Sequence, residues 1–201
     1  MASQGVAGGG EDGAPVRAGD RIRAAARDLF YRRGIRAVGV DEIVARAGVT
    51  KPSLYRGFAS KDALAVACLE DFAAAFARRL DTALAAHPGD ARAGLMAFLA
   101  DLADRTARPD YRGCGLSNAV IEHPEPDHPA RRAALASKRA LRARLEAVAR
   151  DLGARQPDVL ADGLLLLIEG AFAAGQIFGA GGPARSLTRT ADALVAASLA
   201  G

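Results

Sequence analysis

From Val40 to Phe58, VDEIVARAGVTKPSLYRGF, two short stretches of helical periodicity meet at Gly48. That corner restricts the fold more than any other feature. Ile43, Val44 and Ala47 share the inner side of the first stretch, with Asp41 and Glu42 in its first turn, where the helix dipole favours negative charge. Gly48 ends it and Val49 plugs the corner. Thr50 is the expected cap of the second stretch, with Pro52 tolerated in its first turn. Leu54 and Phe58, four apart, share the buried side of that second helix. Ala45, Ala47 and Gly48 allow close approach, and Ile43, Val49 and Leu54 make a miniature core. A short helix, a glycine turn and a second short helix form the helix-turn-helix pattern, whose second helix enters the DNA major groove.

The residues left off that core are Thr50, Lys51, Ser53, Tyr55 and Arg56, the donor-rich side chains that phosphates and base edges require. Lys61 follows at the start of the next helix, where ammonium and helix N-terminus both attract a phosphate. The net charge of +4 is unevenly spread: 11 Lys or Arg against 4 Asp or Glu lie between Arg17 and Lys61, and the rest of the chain is net acidic. A regional basic module suits a polyanionic partner. The bland alternatives are a solvated Arg-rich surface and a helix-turn-helix corner that never touches DNA.

The rest of the 201 residues reads as helix. Half are hydrophobic, alanine dominates and aromatics are few, which favours helices packed through small side chains over sheets. The expected fold is all-α with about nine helices. Residues 1–18 read as a Gly-rich disordered tail. A helix from Asp20 carries Ile22, Ala26, Leu29 and Phe30, and Gly34 is the expected left-handed residue of a Schellman cap at its end. Ser60 caps a long helix striped with Leu64, Cys68, Phe72, Phe76, Leu80 and Leu84. Leu95, Phe98, Leu99 and Leu102 face inward from the next. A later helix, from about Pro129 to Leu152, has Leu135, Leu141, Leu145, Val148 and Leu152 as core positions. Two final helices run roughly Asp158–Phe178 and Pro183–Leu199.

Cys68 and Cys114 are the two cysteines, too few for a disulfide framework and suited to a reducing cytosol. No basic and apolar leader opens the chain, and Gly163 to Ala180 is read as too short and too interrupted, by Glu169 and Gln176, to span a membrane. A cytoplasmic protein is expected.

LFYRRGIRAVGVDEIVARAGVTKPSLYRGFASKDAL resembles the N-terminal DNA-binding domain of the tetracycline-repressor (TetR) family, densely from about Asp20 to Leu69. The resemblance implies that Thr50, Lys51, Pro52, Ser53, Tyr55 and Arg56 face DNA. Tyr55 and Lys61 would meet the backbone and the early third-helix positions the bases. Two residues depart from the family pattern: Gly39, where a Thr or Ser often reaches a phosphate, and Gly57, where a His is more usual. The resemblance also implies a division into the tail, a DNA-binding domain at 19–65 and a ligand-binding and dimerisation domain at 66–201. The partners it implies are double-stranded palindromic operator DNA, a second copy of the chain and a small effector. The stretch from Tyr111 to Ala154 is similar to a subgroup with a Gly-Cys loop, which supports the fold and leaves the ligand open.

Apolar walls with few polar groups suggest a largely apolar ligand among Phe72, Phe76, Phe98, Leu102, Leu116, Asn118, Phe172 and Gln176. The segment GLLLLIEGAFAAG is apolar nearly all round, more than one core-facing stripe requires. It places Leu164, Leu165, Ile168 and Phe172, with Leu187 and Leu194 of the last helix, at an expected dimer interface. Cys114, two residues from Arg112, is the candidate for an alternative, redox-triggered regulator. His123 and His128, with Glu122 and Cys114, are a weak metal candidate because the histidines flank two prolines instead of sharing a helical face. No metal or other cofactor is expected. No nucleophile–base pair, phosphate-cradling loop or carboxylate pair supports the remaining alternative, a helical-bundle enzyme.

Overall fold

The computed structural model describes residues 17–199. Most of the expected tail therefore lies outside the described residues, and the first helix already begins at Ala18. Nine α-helices, with no strand among the described residues, follow in order: α1 Ala18–Arg33, α2 Val40–Ala47, α3 Lys51–Gly57, α4 Lys61–Ala85, α5 Ala91–Thr106, α6 Gly115–Glu122, α7 Pro129–Asp151, α8 Pro157–Phe178 and α9 Leu187–Leu199. Two short 3₁₀ turns, Gly179–Gly181 and Pro183–Ser186, join the last two.

Local chemistry accounts for the boundaries. Gly48 adopts φ 62° and ψ 43°, a left-handed conformation that glycine reaches without steric cost. The Val49 N–H then reaches back to the Val44 carbonyl at 3.0 Å, the bond of a Schellman turn. At the end of α1 the same cap is the expectation for Gly34. Gly34 instead has φ 88° and ψ 156°, outside the left-handed helical well, and any Cβ there would meet the Glu122 carboxylate at 2.8 Å. Ser60 caps α4 by accepting from the Ala63 N–H at 3.0 Å. Thr50 precedes α3 but makes no side-chain cap; its Oγ1 lies 3.1 Å from Ser53 Oγ.

Helices α1 to α3 enclose Ile22, Leu29, Ile43 and Leu54, and Leu64 at the start of α4 closes the same core. The remaining length of α4 joins α5 and α7, while α8 packs on α5, α7 and α9. Phe98 of α5 meets Phe76 of α4 edge-on at 5.2 Å between ring centroids, and Phe172 of α8 meets Phe76 at 5.7 Å. Leu135, expected in the core, is 45% exposed on α7, where the exposed Arg132, Ala136 and Arg139 flank it.

The segment read as too short to cross a membrane belongs to a 22-residue helix, α8. Pro157–Gly181 is long and apolar enough for a span by length and composition alone. In the fold, Leu160, Leu164 and Ile168 are buried against neighbouring helices. Asp162 pairs with Arg142 at 2.6 Å and Glu169 pairs with Lys138.

Candidate nucleic-acid interface and effector cleft

Helix α3 is seated by one residue. Leu54 is fully buried, while Thr50, Lys51, Pro52, Tyr55, Arg56 and Gly57 are exposed and Ser53 is half-buried. Burying Leu54 turns the donor side of the helix outward, because side chains three and four apart share a face. Arg56 Nη2 donates to Ser53 Oγ at 2.8 Å, which aligns the guanidinium along the helix. Lys51 pairs with Asp41 at 2.7 Å, an exposed contact that a phosphate can displace because solvent screens it. Tyr55 is 52% exposed, large for an aromatic residue.

Lys61 differs from the free phosphate ligand expected. Its Nζ donates to the carbonyls of Ile35 at 2.9 Å and Val38 at 3.1 Å. It therefore ties α4 to the α1–α2 turn and keeps one of its three N–H donors for a further acceptor. The same turn is held from the other side: Glu122, at the end of α6, accepts from the Arg36 backbone N–H at 2.9 Å, and its carbonyl accepts from Arg36 Nη1 at 3.2 Å. Gly39 and Gly57, the two departures from the family pattern, are exposed.

Behind this face lies a cleft of about 540 Å³, within the range of small-molecule sites. Phe72, Phe76, Leu102, Asn118 and Phe172, five of the eight residues named for a ligand site, line it. A neighbouring cavity of about 380 Å³ shares the three phenylalanines and adds Leu116 and Cys114. Phe98 lines neither and supports Phe76 from behind. Gln176 is exposed and opens on a third, shallower depression beside Arg112. Tyr31 of α1 reaches the cleft rim, accepting from the Arg112 N–H at 2.9 Å and donating to the Gly113 carbonyl at 3.4 Å.

Several polar residues of this region escaped the sequence reading. Arg79, Arg105 and Tyr111 line the cleft, and they come from α4, the end of α5 and the loop beyond it. Lys138 places Nζ 3.3 Å from Cys114 Sγ and pairs with Glu169, which also accepts from Ser117 Oγ at 2.8 Å. No periodicity links such positions, so only the fold brings them together. Cys68 is buried, and burial pushes its thiol up to about 12, which makes it inert. His123 and His128 stack at 3.7 Å between ring centroids, and His128 Nε2 lies 3.9 Å from Asp62. Among the described residues no three His, Cys, Asp or Glu side chains converge as metal ligands.

The expected dimer residues need correction. Leu164, Ile168 and Phe172 are buried within the protomer because α8 turns them toward α5, α7 and α9, and Leu187 is buried at the start of α9. Leu194 is half-buried and fills the space over Gly163, where any Cβ would lie 2.8 Å from it, and Leu165 is half-buried. The exposed row of α8 is instead Val159, Asp162, Leu166, Gly170, Ala173 and Ile177, at helical spacing along one side and apolar but for Asp162, which pairs with Arg142. Val159, Leu166 and Ile177 are 57%, 73% and 71% exposed. Ala193, Ala196 and Ala197 of α9 are exposed as well.

Comparisons with known proteins agree with this architecture. The family model for bacterial regulatory proteins of the tetR family matches residues 22–68. A TetR-family transcriptional regulator from Streptomyces coelicolor superposes with a TM-score of 0.86 at 30% identity, covering 91% of this chain and 96% of that one. The transcriptional activator FasR of Mycolicibacterium smegmatis is 48% identical over 50 residues, 25% of this chain and 23% of FasR. The transcriptional repressor NemR of Escherichia coli is 34% identical over 79 residues, 39% of this chain and 40% of NemR. The chain thus matches less than half the length of either curated relative. The family consists of transcriptional regulators, not enzymes. A helix-turn-helix seated on Leu54, nine helices among the described residues and a structural match over 91% of the chain at 30% identity together show that the chain belongs to the TetR family of bacterial regulators.

Proposed function

We propose that the protein is a homodimeric, ligand-responsive transcriptional repressor of the cytoplasm, which binds a palindromic operator and is released by a small effector. In this reading residues 19–65 contact DNA, and residues 66–201 bind the effector and dimerise. The observation that carries it is the outward set Thr50, Lys51, Pro52, Ser53, Tyr55 and Arg56 on a helix fixed by buried Leu54. The early positions, Thr50 to Ser53, lie at the helix N-terminus, the end that meets base edges in helix-turn-helix proteins. Tyr55, Arg56 and the spare N–H of Lys61 serve the flanking phosphates. Pairing through the exposed row of α8 supplies the second recognition helix that a palindrome requires.

Release follows from the two ties on the α1–α2 turn. Phe72 and Asn118 face the cleft from α4 and α6, and those same helices hold the turn through Lys61 and Glu122. A ligand that displaces α4 or α6 shifts the turn, and with it the packing of α2 and α3. To take the protein from mostly bound to mostly free, the ligand must favour the released state by about 5 kcal/mol. Linkage requires that operator weaken ligand binding by the same factor. Calorimetric titration of an effector with and without operator DNA tests this: different affinities support release, and equal affinities refute it.

One observation favours a second trigger. The Lys138 ammonium lies 3.3 Å from Sγ of Cys114, a buried thiol at the start of α6, and a neighbouring cation is one of the surroundings in which cysteines react. Operator binding by the wild type and by a Cys114→Ser variant before and after mild peroxide decides between the two triggers. Loss in the wild type alone supports redox release, and equal behaviour rejects it.

A further inference from the structure

The cleft carries positive charge that the protomer leaves uncompensated. Its charged lining comprises Arg27, Arg79, Arg105 and Arg108 facing Asp28, Asp71, Asp110 and Glu122. Three of the four carboxylates are already engaged. Asp28 pairs with Arg32 at 2.7 Å and Arg46 at 2.6 Å, Asp71 pairs with Arg23 at 2.6 Å, and Glu122 accepts from the Arg36 N–H. Among the described residues, none of the four lining arginines has an ion-pair partner. Asp110, and Glu122 whose partner is a neutral amide, are left to balance the four.

Two further features point to the same end of the cleft. Tyr111 Oη is buried and has no hydrogen-bond partner, an uncommon condition for a hydroxyl. Burial and then the charge of Arg105 hold the Arg79 guanidinium below its usual range; Asp101 offsets part of this, and Arg108 and Arg78 add to it. Like charges gathered beside an orphaned donor are unfavourable in the protomer alone, and one acceptor-rich anion relieves both conditions. Phe76 and Phe172 form the adjoining wall, so the rest of such a ligand is apolar. A planar carboxylate matches the guanidinium fork with a single charge, whereas a phosphate dianion would lose far more hydration against phenylalanine walls.

We propose that the effector is an amphipathic monocarboxylate, whose carboxylate accepts from Arg79, Arg105 and Tyr111 Oη while its apolar body lies against Phe76 and Phe172. The assignment rests on the effector reading above and refines it: the walls are apolar, as the sequence suggested, but one end selects an anion. Recognition is then a difference between an acid and its uncharged isostere.

The test is calorimetric titration of the whole protein with 4-phenylbutyrate and decanoate, each against its primary amide. At least one acid should bind about tenfold or more tighter than its amide, the scale of a charge-assisted hydrogen bond in a desolvated site. An Arg79→Gln, Arg105→Gln variant should lose that difference while keeping its affinity for the amide, and Tyr111→Phe should lose part of it. If the double variant does not fold, Arg105→Gln alone carries the comparison. Acids and amides that bind equally, a preference that survives in the variants, or no binding of either acid at about millimolar concentration would overturn the proposal. A separate operator titration distinguishes the two readings. An acid that binds selectively without weakening operator binding leaves the anion site standing and refutes release; release by amide and acid at equal potency upholds release and refutes the anion site.

Discussion

Leu166 and Ile168 sit two residues apart on the most apolar helix of the protein, and the fold assigns them opposite roles. Leu166 is 73% exposed and Ile168 is fully buried. If the exposed row of α8 forms the dimer interface, an arginine at position 166 is harmless to the protomer and severe for the dimer. Completing the burial of one leucine side chain this exposed contributes roughly 1–2 kcal/mol, and two-fold symmetry doubles that to roughly 2–4. Two unpaired guanidinium groups in a closed apolar contact add several kcal/mol of desolvation. Leu166→Arg should therefore weaken the dimer by at least about a thousandfold, since each 1.4 kcal/mol is a factor of ten. Sedimentation equilibrium gives the association constant, and circular dichroism checks that the helices persist. Ile168→Arg should instead unfold the chain, because it buries a charge among Leu164, Phe172 and their neighbours. A Leu166→Arg protein that dimerises like the wild type, or a wild type that is monomeric at about ten micromolar, would refute the reasoning.

The proposed coupling of the cleft to α3 through the α1–α2 turn predicts that Glu122→Gln separates ligand binding from release. The variant should still bind effector, since it removes a negative charge from the cleft, yet lose several-fold in the effect of ligand on operator affinity, as expected when a charge-assisted bond to the Arg36 N–H is weakened. Paired calorimetric and operator titrations check this, and unchanged coupling would count against the α6 route. His123 predicts a pH dependence of stability. Burial and then the charge of His128 hold it below its ordinary value of 6.5, with Glu122 and Asp62 opposing and Arg36 reinforcing the shift. The unfolded chain therefore binds more protons between the two values, so folding stability falls as pH drops below about 6.5 and levels off below the folded value. Thermal midpoints from about pH 8 to pH 5 should show this slope in the wild type and a flatter one in His123→Gln; equal slopes would exclude His123 as its source.

The recognition module was legible because its determinants are local. Gly48 sets a turn by its own backbone freedom, Ser60 caps α4 through its own hydroxyl, and Leu54 and Phe58 share a face by spacing alone. Thr50 matched the cap pattern, but its hydroxyl lies against Ser53 Oγ. The outward face of α8 was not legible in detail. A helix apolar on all sides, as in GLLLLIEGAFAAG, leaves periodicity nothing to distinguish, and only the placement of α5, α7 and α9 turns Ile168 inward and Leu166 outward. Lys61 shows another limit: its position at a helix start suggested phosphate, while its two carbonyl partners come from a turn far back in the chain. Arg79, Arg105 and Tyr111 were ordinary surface residues by local pattern, and their shared cleft depends on three separate elements meeting.

The central claim is that α3 reads DNA as one of a symmetric pair. Its most direct test is selection from a pool of randomised DNA duplexes with wild-type protein, followed by binding of the selected sequence at several salt concentrations. The account predicts enrichment of a palindrome whose half-sites are spaced by about one helical turn or a multiple of it, and affinity that falls steeply with salt. In a parallel selection, Tyr55→Ala should recover the same sequence with uniformly weaker binding, since Tyr55 serves phosphate contacts. A pool that emerges without any enriched symmetric sequence, and that binds wild type and Tyr55→Ala alike, would contradict the account.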